Sequence, residues 1–233
     1  MTMKTNRVLV VYGSETNQTK MAMTDVVDAW KEEKSSDFEV ELLEGDKAAE
    51  KFEEINSSNY DFLLIGTSSY GEGDAPSGFG KFLYELQEAA KDTGKPLMGL
   101  QHAVLGFGST SYETFQNCPR LVDKYLGEAG SRRCLKRLEI DEMEHDMEDV
   151  KKWAVEIRKT CVSVGVEGSK QDCVCDWTEP EDLILPKNMG SDGYEAGQGM
   201  PEFSAAKLVP IVIAIAGISY YFYTNKMKAE QES

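Results

Sequence analysis

The stretch that most limits what this chain can fold into is VLVVYGSETNQTKMA, residues 8–22. Its first four residues are a continuous apolar run rich in β-branched side chains, the mark of a strand buried on both faces. Gly13 ends the run. Ser14, Glu15, Thr16, Asn17, Gln18 and Thr19 then supply only hydroxyl, amide and carboxyl groups, and an amphipathic helical pattern begins behind them. A strand that feeds a polar turn into a helix makes a cradle for an anion. The first-turn N–H groups have no intrahelical acceptor, and the hydroxyls of Ser14, Thr16 and Thr19 add donors. No Lys or Arg lies inside the turn, so an anion there is held by neutral dipoles. The same segment also suits an ordinary strand–helix connection with Ser and Thr as caps. The later strands and turns of the chain decide between the two.

The pattern recurs. Strand patterns at 8–12, 38–43, 60–66, 102–107 and 134–140 alternate with helical patterns at about 19–33, 46–55, 78–90, 121–129 and 147–164. Met21, Val26 and Trp30 are expected on the buried face of the first helix, and Lys136 and Arg137 interrupt the fifth strand. Five strands alternating with helices predict an α/β fold, a doubly wound five-stranded parallel sheet between two helical layers. In such a sheet a ligand lies beyond the carboxyl ends of the strands, where the strand order reverses.

Two further turns at that edge are unusual. After the third strand comes TSSYGEGDAP, residues 67–76, and after the fourth comes GFGSTSYETF, residues 106–115. Each is small, polar and glycine-bearing, with one tyrosine. Tyr70 and Tyr112, on separate loops at one sheet edge, are placed to clamp a flat conjugated ring, while glycines let backbone groups reach its polar rim. For either tyrosine alone, an exposed loop position explains it as well. The two together, beside an anion cradle, point to a ligand.

The composition narrows the partners. The formal net charge of −16 argues against nucleic acid, which needs a basic face, and favours a basic protein partner or simple solubility. Seven of the eleven residues 139–149 are Asp or Glu; they suit either a docking surface for a basic partner or a solvated helix start. Five cysteines, odd in number and without framework spacing, fit a reducing compartment. Cys173 and Cys175 form C-x-C and are read as linker thiols, not as a metal site. His102 and His145 lie far apart and have no companion cysteine cluster, so metal binding or triad chemistry is not expected at either. MTMKTNR at the start has no apolar core and does not read as a secretory signal.

YGSETNQT, TSSYGEGDAPSGFGKF and AVLGFGSTSYETF, in this order, resemble the three flavin-binding loops of the flavodoxin family. The last two resemble most closely the FMN domains of diflavin reductases, which feed electrons to haem monooxygenases, nitric oxide synthase and sulfite reductase. The resemblance runs from about residue 7 to 165. It implies FMN as cofactor, with its phosphate on Ser14–Thr19. It implies Tyr70 over one ring face beside Ser68, Ser69 and Gly73, with Gly71 next to the reactive N5. It also implies Tyr112 as the second stacking aromatic, with Phe107, Gly108, Ser109, Phe115 and Gln116 around the ring and ribityl chain, and Asp141 closing the ribityl side. Departures occur at Asn17, where the family often has glycine, and at Ser109 and Gln116, where it has asparagine. Asn tolerates left-handed backbone better than most residues, so the first loop is expected to form.

The rest of the chain changes character. Residues 166–204 are acidic, with glycines and prolines and no clear period, and read as a linker, with Trp177 and the leucines at 183 and 185 packing back on the domain. Residues 208–223, LVPIVIAIAGISYYFY, carry no charge, and 205–225 are expected to form a C-terminal transmembrane anchor, followed by a short tail at 226–233. Tyr220, Tyr221 and Tyr223 sit where an interfacial belt falls, and Lys207 and Lys226 can snorkel at the ends. The flavin domain then faces the cytosol, at the endoplasmic reticulum or the mitochondrial outer membrane.

The expected function is a membrane-anchored FMN-binding one-electron carrier. The chain has no room for FAD- and NADPH-binding modules, so a separate NAD(P)H-dependent reductase is expected as donor. A basic redox protein or a membrane-bound haem or metal oxygenase is expected as acceptor. The alternatives are a stand-alone FMN-dependent quinone reductase and a cofactor-free scaffold of the same fold.

Overall fold

The computed structural model describes residues 5–32, 38–143, 147–164, 183, 189–190 and 193–194. In chain order the elements are β1 (Asn6–Tyr12), α1 (Gln18–Glu32), β2 (Phe38–Glu44), α2 (Gly45–Ala49), β3 (Phe62–Ser68), α3 (Gly80–Lys91), β4 (Gln101–Gly108), α4 (Asn117–Glu128), β5 (Arg132–Arg133), β6 (Leu138–Asp141), α5 (Met147–Val164), β7 (Met189–Gly190) and β8 (Gly193–Tyr194). The sheet runs β2-β1-β3-β4, with β5 and β6 both beside β4 as two halves of a fifth strand. Every pairing in it is parallel. The order reverses between β1 and β3, so the crevice of such a sheet opens at their carboxyl ends.

Alternation along the strands builds the layers. Leu9, Val11, Leu63, Ile65 and Val104 point to one face and pack with Phe79, Phe82, Leu86, Leu121, Val122 and Leu126 from the α3–α4 side. Val8, Val10, Phe62, Leu64, Leu105 and Phe107 point to the other and pack with Met23, Val26, Trp30, Val150, Trp153 and Ile157 from α1 and α5. All these side chains are 5% exposed or less, so the central strands are covered on both faces, as their unbroken apolar runs require. Leu183 packs against the α3–α4 layer.

Four expectations are corrected. Met21 is 65% exposed; the buried face of α1 is carried by Thr19, Ala22, Met23, Val26, Val27 and Trp30. The helix read over 46–55 is a single turn, α2, followed by a 3-10 turn at Phe52–Glu54. Helix α4 starts at Asn117, ahead of the expected 121, directly after Gln116 in left-handed backbone (φ 62°). Pro119 is tolerated there because first-turn N–H groups have no helical acceptor. The fifth strand is broken: β5 follows the start of β4, β6 follows its end, and residues 134–137 leave the ladder between them.

Among the described residues no helix is long and apolar enough to cross a membrane. The expected anchor at 205–225, Trp177, and the C-x-C cysteines lie outside the described residues.

Candidate functional site

At the carboxyl edge of the sheet, three loops are tied to one another. Gly13 N–H donates to the Gly66 carbonyl at 2.8 Å, which sets the start of the first loop beside the end of β3. A side chain at Gly13 would collide with the Phe79 ring, since a Cβ there lies 2.5 Å from it. The Glu15 carboxylate accepts from Ser77 N–H at 2.8 Å, linking the first loop to the second. The Thr114 hydroxyl donates to the Gly71 carbonyl at 3.3 Å, and the Asn117 amide donates to the Gly73 carbonyl at 2.9 Å. These bonds link the second loop to the third.

The first loop forms as an anion cradle. Asn17 has φ 67°, the left-handed backbone expected at this departure from glycine. The first helical bond of α1 runs from Met21 N–H to the Asn17 carbonyl at 2.9 Å, so the N–H groups before it lack an intrahelical acceptor. The Ser14 hydroxyl oxygen is shielded from solvent and has no hydrogen-bond partner. An orphaned buried hydroxyl at the mouth of a helix fits an anion that accepts its proton.

The second loop is a tight bend. Asp74 N–H donates back to the Tyr70 carbonyl at 2.8 Å, and Tyr70 N–H donates to the Asp74 carbonyl at 3.0 Å. Gly71 (φ 52°) and Gly73 (φ 92°) take left-handed backbone that closes this bend. Tyr70 is left 43% exposed and Tyr112, on the third loop, 64% exposed. Both line one cleft of about 380 Å³, with Glu15, Thr16, Ser68, Ser69 and Gly71 on one side and Gly108, Ser109 and Phe115 on the other.

The remaining predicted residues support the cleft without lining it. Thr19 is buried on α1, and its methyl group lies close to the place where a side chain on Gly66 would fall. Gln18 opens α1. Phe107 has its ring in the α1–α5 core. Gln116 is fully buried; its amide donates to the Ile140 carbonyl at 3.1 Å, and its Oε1 has no partner. The Asp141 carboxylate accepts from the Thr110 hydroxyl and from Met143 N–H, so it pins the third loop. Thr114 and Glu142 line the cleft and were missed by sequence reasoning. Glu142 was legible only as one acid among many; its N–H donates to the Gly108 carbonyl at 2.7 Å, which places it at the rim.

A charged network was also missed. Asp123 on α4, buried, accepts from Arg133 Nε at 2.8 Å, from Arg137, and from His102 Nε2 at 3.1 Å. His102 Nδ1 lies 2.8 Å from the Ser131 hydroxyl. The Ser131 hydroxyl also lies 3.3 Å from the Leu100 carbonyl, so its one proton is shared between that acceptor and a neutral His102 whose Nε2–H goes to the carboxylate. All three members of this Ser–His–Asp trio are buried, and it sits at the β5 end of β4, opposite the cleft. Burial holds the His102 pKa below its ordinary value against the pull of Asp123. Burial pushes the Asp123 carboxyl up, but His102 and Arg133 outweigh it and the net direction is down. The network extends through Arg137 to Glu139, which also takes both arms of Arg120, at 2.9 and 2.8 Å. Glu139 is therefore a paired, half-buried member of the acidic stretch. The one sequence signal for all this was the pair of basic residues inside an otherwise apolar strand pattern.

Comparison with known proteins agrees with this geometry. The family model described as Flavodoxin matches residues 10–153. The chain is 29% identical over 165 residues to the sulfite reductase [NADPH] flavoprotein alpha-component of Vibrio vulnificus, covering 69% of this chain and 25% of that protein. It is 27% identical over 137 residues to methionine synthase reductase of Caenorhabditis elegans, covering 58% and 20%. It is 28% identical over 161 residues to the inducible nitric oxide synthase of Gallus gallus, covering 68% and 13%. The chain thus spans a quarter or less of the length of these relatives. Among solved structures, a short-chain flavodoxin associated with a PDU bacterial microcompartment superposes with TM-score 0.53 at 24% identity, over 67% of this chain and 99% of that one. Oxidised flavodoxin 1 from Bacillus cereus does so with TM-score 0.53 at 20% identity, over 66% and 98%. Flavodoxin-domain homologues bind FMN. With its family match covering most of the strands and all three cleft loops, the chain belongs to the flavodoxin family.

Proposed function

We propose that this chain binds FMN in the cleft and works as a one-electron carrier. One observation carries the reading. At a single sheet edge, the unpartnered Ser14 hydroxyl in a helix-mouth cradle lies on a loop tied to those bearing two exposed tyrosines. FMN, when bound, supplies the redox chemistry and passes electrons singly. The chain's residues do the rest. Ser14 to Thr19 hold the phosphate with neutral donors. Tyr70 and Tyr112 grip the flat ring between two aromatic faces, and backbone groups near Gly71 and Gly108 meet its polar rim. Asp141 works from behind by fixing the Thr110 segment of the third loop. Glu15 and Glu142 at the cleft oppose added negative charge, which favours passing the electron on.

In this reading residues 1–165 are the flavin domain, 166–204 a tether and 205–225 a membrane anchor that keeps the domain on the cytosolic side of the endoplasmic reticulum or mitochondrial outer membrane. The uncharged run of 208–223 supports the anchor. The donor is a separate NAD(P)H-dependent flavin reductase. The acceptor is a basic redox protein or a membrane-bound oxygenase, in keeping with relatives named as reductases and as nitric oxide synthase. The test is the visible spectrum of FMN-loaded protein mixed with NADPH. A carrier keeps its yellow colour until a reductase is added. Rapid bleaching without a partner would make the protein a quinone reductase-type enzyme and contradict the reading.

A further inference from the structure

Behind the Phe115 wall of the cleft stands a cation that the binding loops themselves do not contain. The Arg120 guanidinium carbon lies 6.0 Å from the centre of the Phe115 ring, and Phe115 lines the cleft. Arg120 is not free to leave. Its Nε and Nη2 donate to the two oxygens of Glu139 at 2.9 and 2.8 Å, a bidentate pair that fixes the plane of the guanidinium. Glu139 is shared: Arg137 Nε donates to its Oε1 at 2.9 Å. Arg137 in turn reaches Asp123, which also holds Arg133. Beside the Phe115 wall, Glu139 thus takes two guanidiniums, those of Arg120 and Arg137, in a chain whose formal net charge is −16; Asp123 and Arg133 lie farther off, at the opposite end of β4. The charged side chains that line the cleft itself, Glu15 and Glu142, are both acids.

We infer that Arg120 is a positioning and tuning residue of the flavin site, holding the Phe115 wall and supplying a positive potential that Glu139 partly cancels. This rests on the FMN reading. The two halves of the pair act with opposite sign on any group in the cleft that gains negative charge. Removing the cation disfavours that gain; removing its carboxylate partner favours it. A merely structural pair has no such asymmetry, because breaking it from either side loosens the same wall.

The experiment measures the midpoint potential and the FMN dissociation constant of the full chain and of R120Q, R120K and E139Q, with far-UV circular dichroism as the folding control. R120Q is expected to shift the potential down and to weaken FMN binding about threefold, the worth of an exposed cation–aromatic contact. R120K keeps the charge but loses the planar fork, so its potential stays near wild type while affinity falls. E139Q is expected to shift the potential up. If R120Q does not fold, an unshifted potential in R120K beside an upward shift in E139Q still supports the inference, and equal shifts in both overturn it. FMN-loaded wild type with R120Q and E139Q shifted in the same direction, or neither shifted, overturns this inference and leaves the cofactor reading standing. Wild type that takes up no FMN overturns both.

Discussion

Ser14 carries a hydroxyl that the fold has dried and left without a partner, and that cost is recovered only if something accepts its proton. With a phosphate in the cradle the bond is charge-assisted, so S14A is expected to weaken FMN binding about tenfold. Riboflavin, which lacks the phosphate, should bind wild type and S14A alike. Equal losses for both ligands, measured by fluorescence quenching, would place the phosphate elsewhere. Tyr112 is 64% exposed. Y112A removes one stacking face and is expected to cost about 1 kcal/mol of FMN affinity, seen by the same titration. These residues were legible in the sequence because a tyrosine among glycines and a hydroxyl run after a strand have local causes. Glu142 and Thr114 were not, because what brings them to the cleft is a backbone bond to Gly108 and a hydroxyl bond to Gly71, which no local pattern encodes.

The break in the fifth strand is the point where element-level reasoning fell short. An apolar strand pattern with two basic residues inside it reads as a flawed strand. The fold instead lets 134–137 leave the ladder so that Arg137 reaches Asp123 and Glu139. Asp123 then serves Arg133, Arg137 and His102 together. D123N leaves those cations facing one another in a buried place and is expected to cost about 3–5 kcal/mol in urea unfolding. The pH dependence comes from His102. Burial lowers its pKa in the fold, so below about 6.5 the unfolded chain binds a proton that the folded chain does not. Its contribution to stability is full above that value and falls as pH drops toward the folded pKa. The Asp123 contribution, whose pKa is lowered, is kept until pH falls below the ordinary carboxylate value. H102N is therefore expected to lose less stability than wild type between pH 7.5 and 5.5. An equal loss in both would show that His102 does not set the pH dependence.

For the molecule as a whole, alternation and length made the layers legible: central strands with unbroken apolar runs need helices on both faces, and the helical stretches between them supply those faces. Met21 was misplaced because the helical pattern offers both it and Met23, and only packing under β3 selects Met23. The acidic stretch that begins in β6 divides by burial. Glu139 is committed to Arg120 and Arg137, Glu142 is half-buried at the rim of the cleft, and Glu148 is exposed. E142K with E148K is expected to slow electron delivery to a basic acceptor at low ionic strength and to flatten its salt dependence, in stopped-flow kinetics. Rates indifferent to both changes would move docking to another face. Whether the cleft takes FMN between its two tyrosines is read most simply by titrating FMN fluorescence with apoprotein, for wild type and for Y70A with Y112A. One-to-one quenching by wild type and its loss in the double variant are expected. Fluorescence that stays unquenched with wild type in excess would contradict the cofactor assignment.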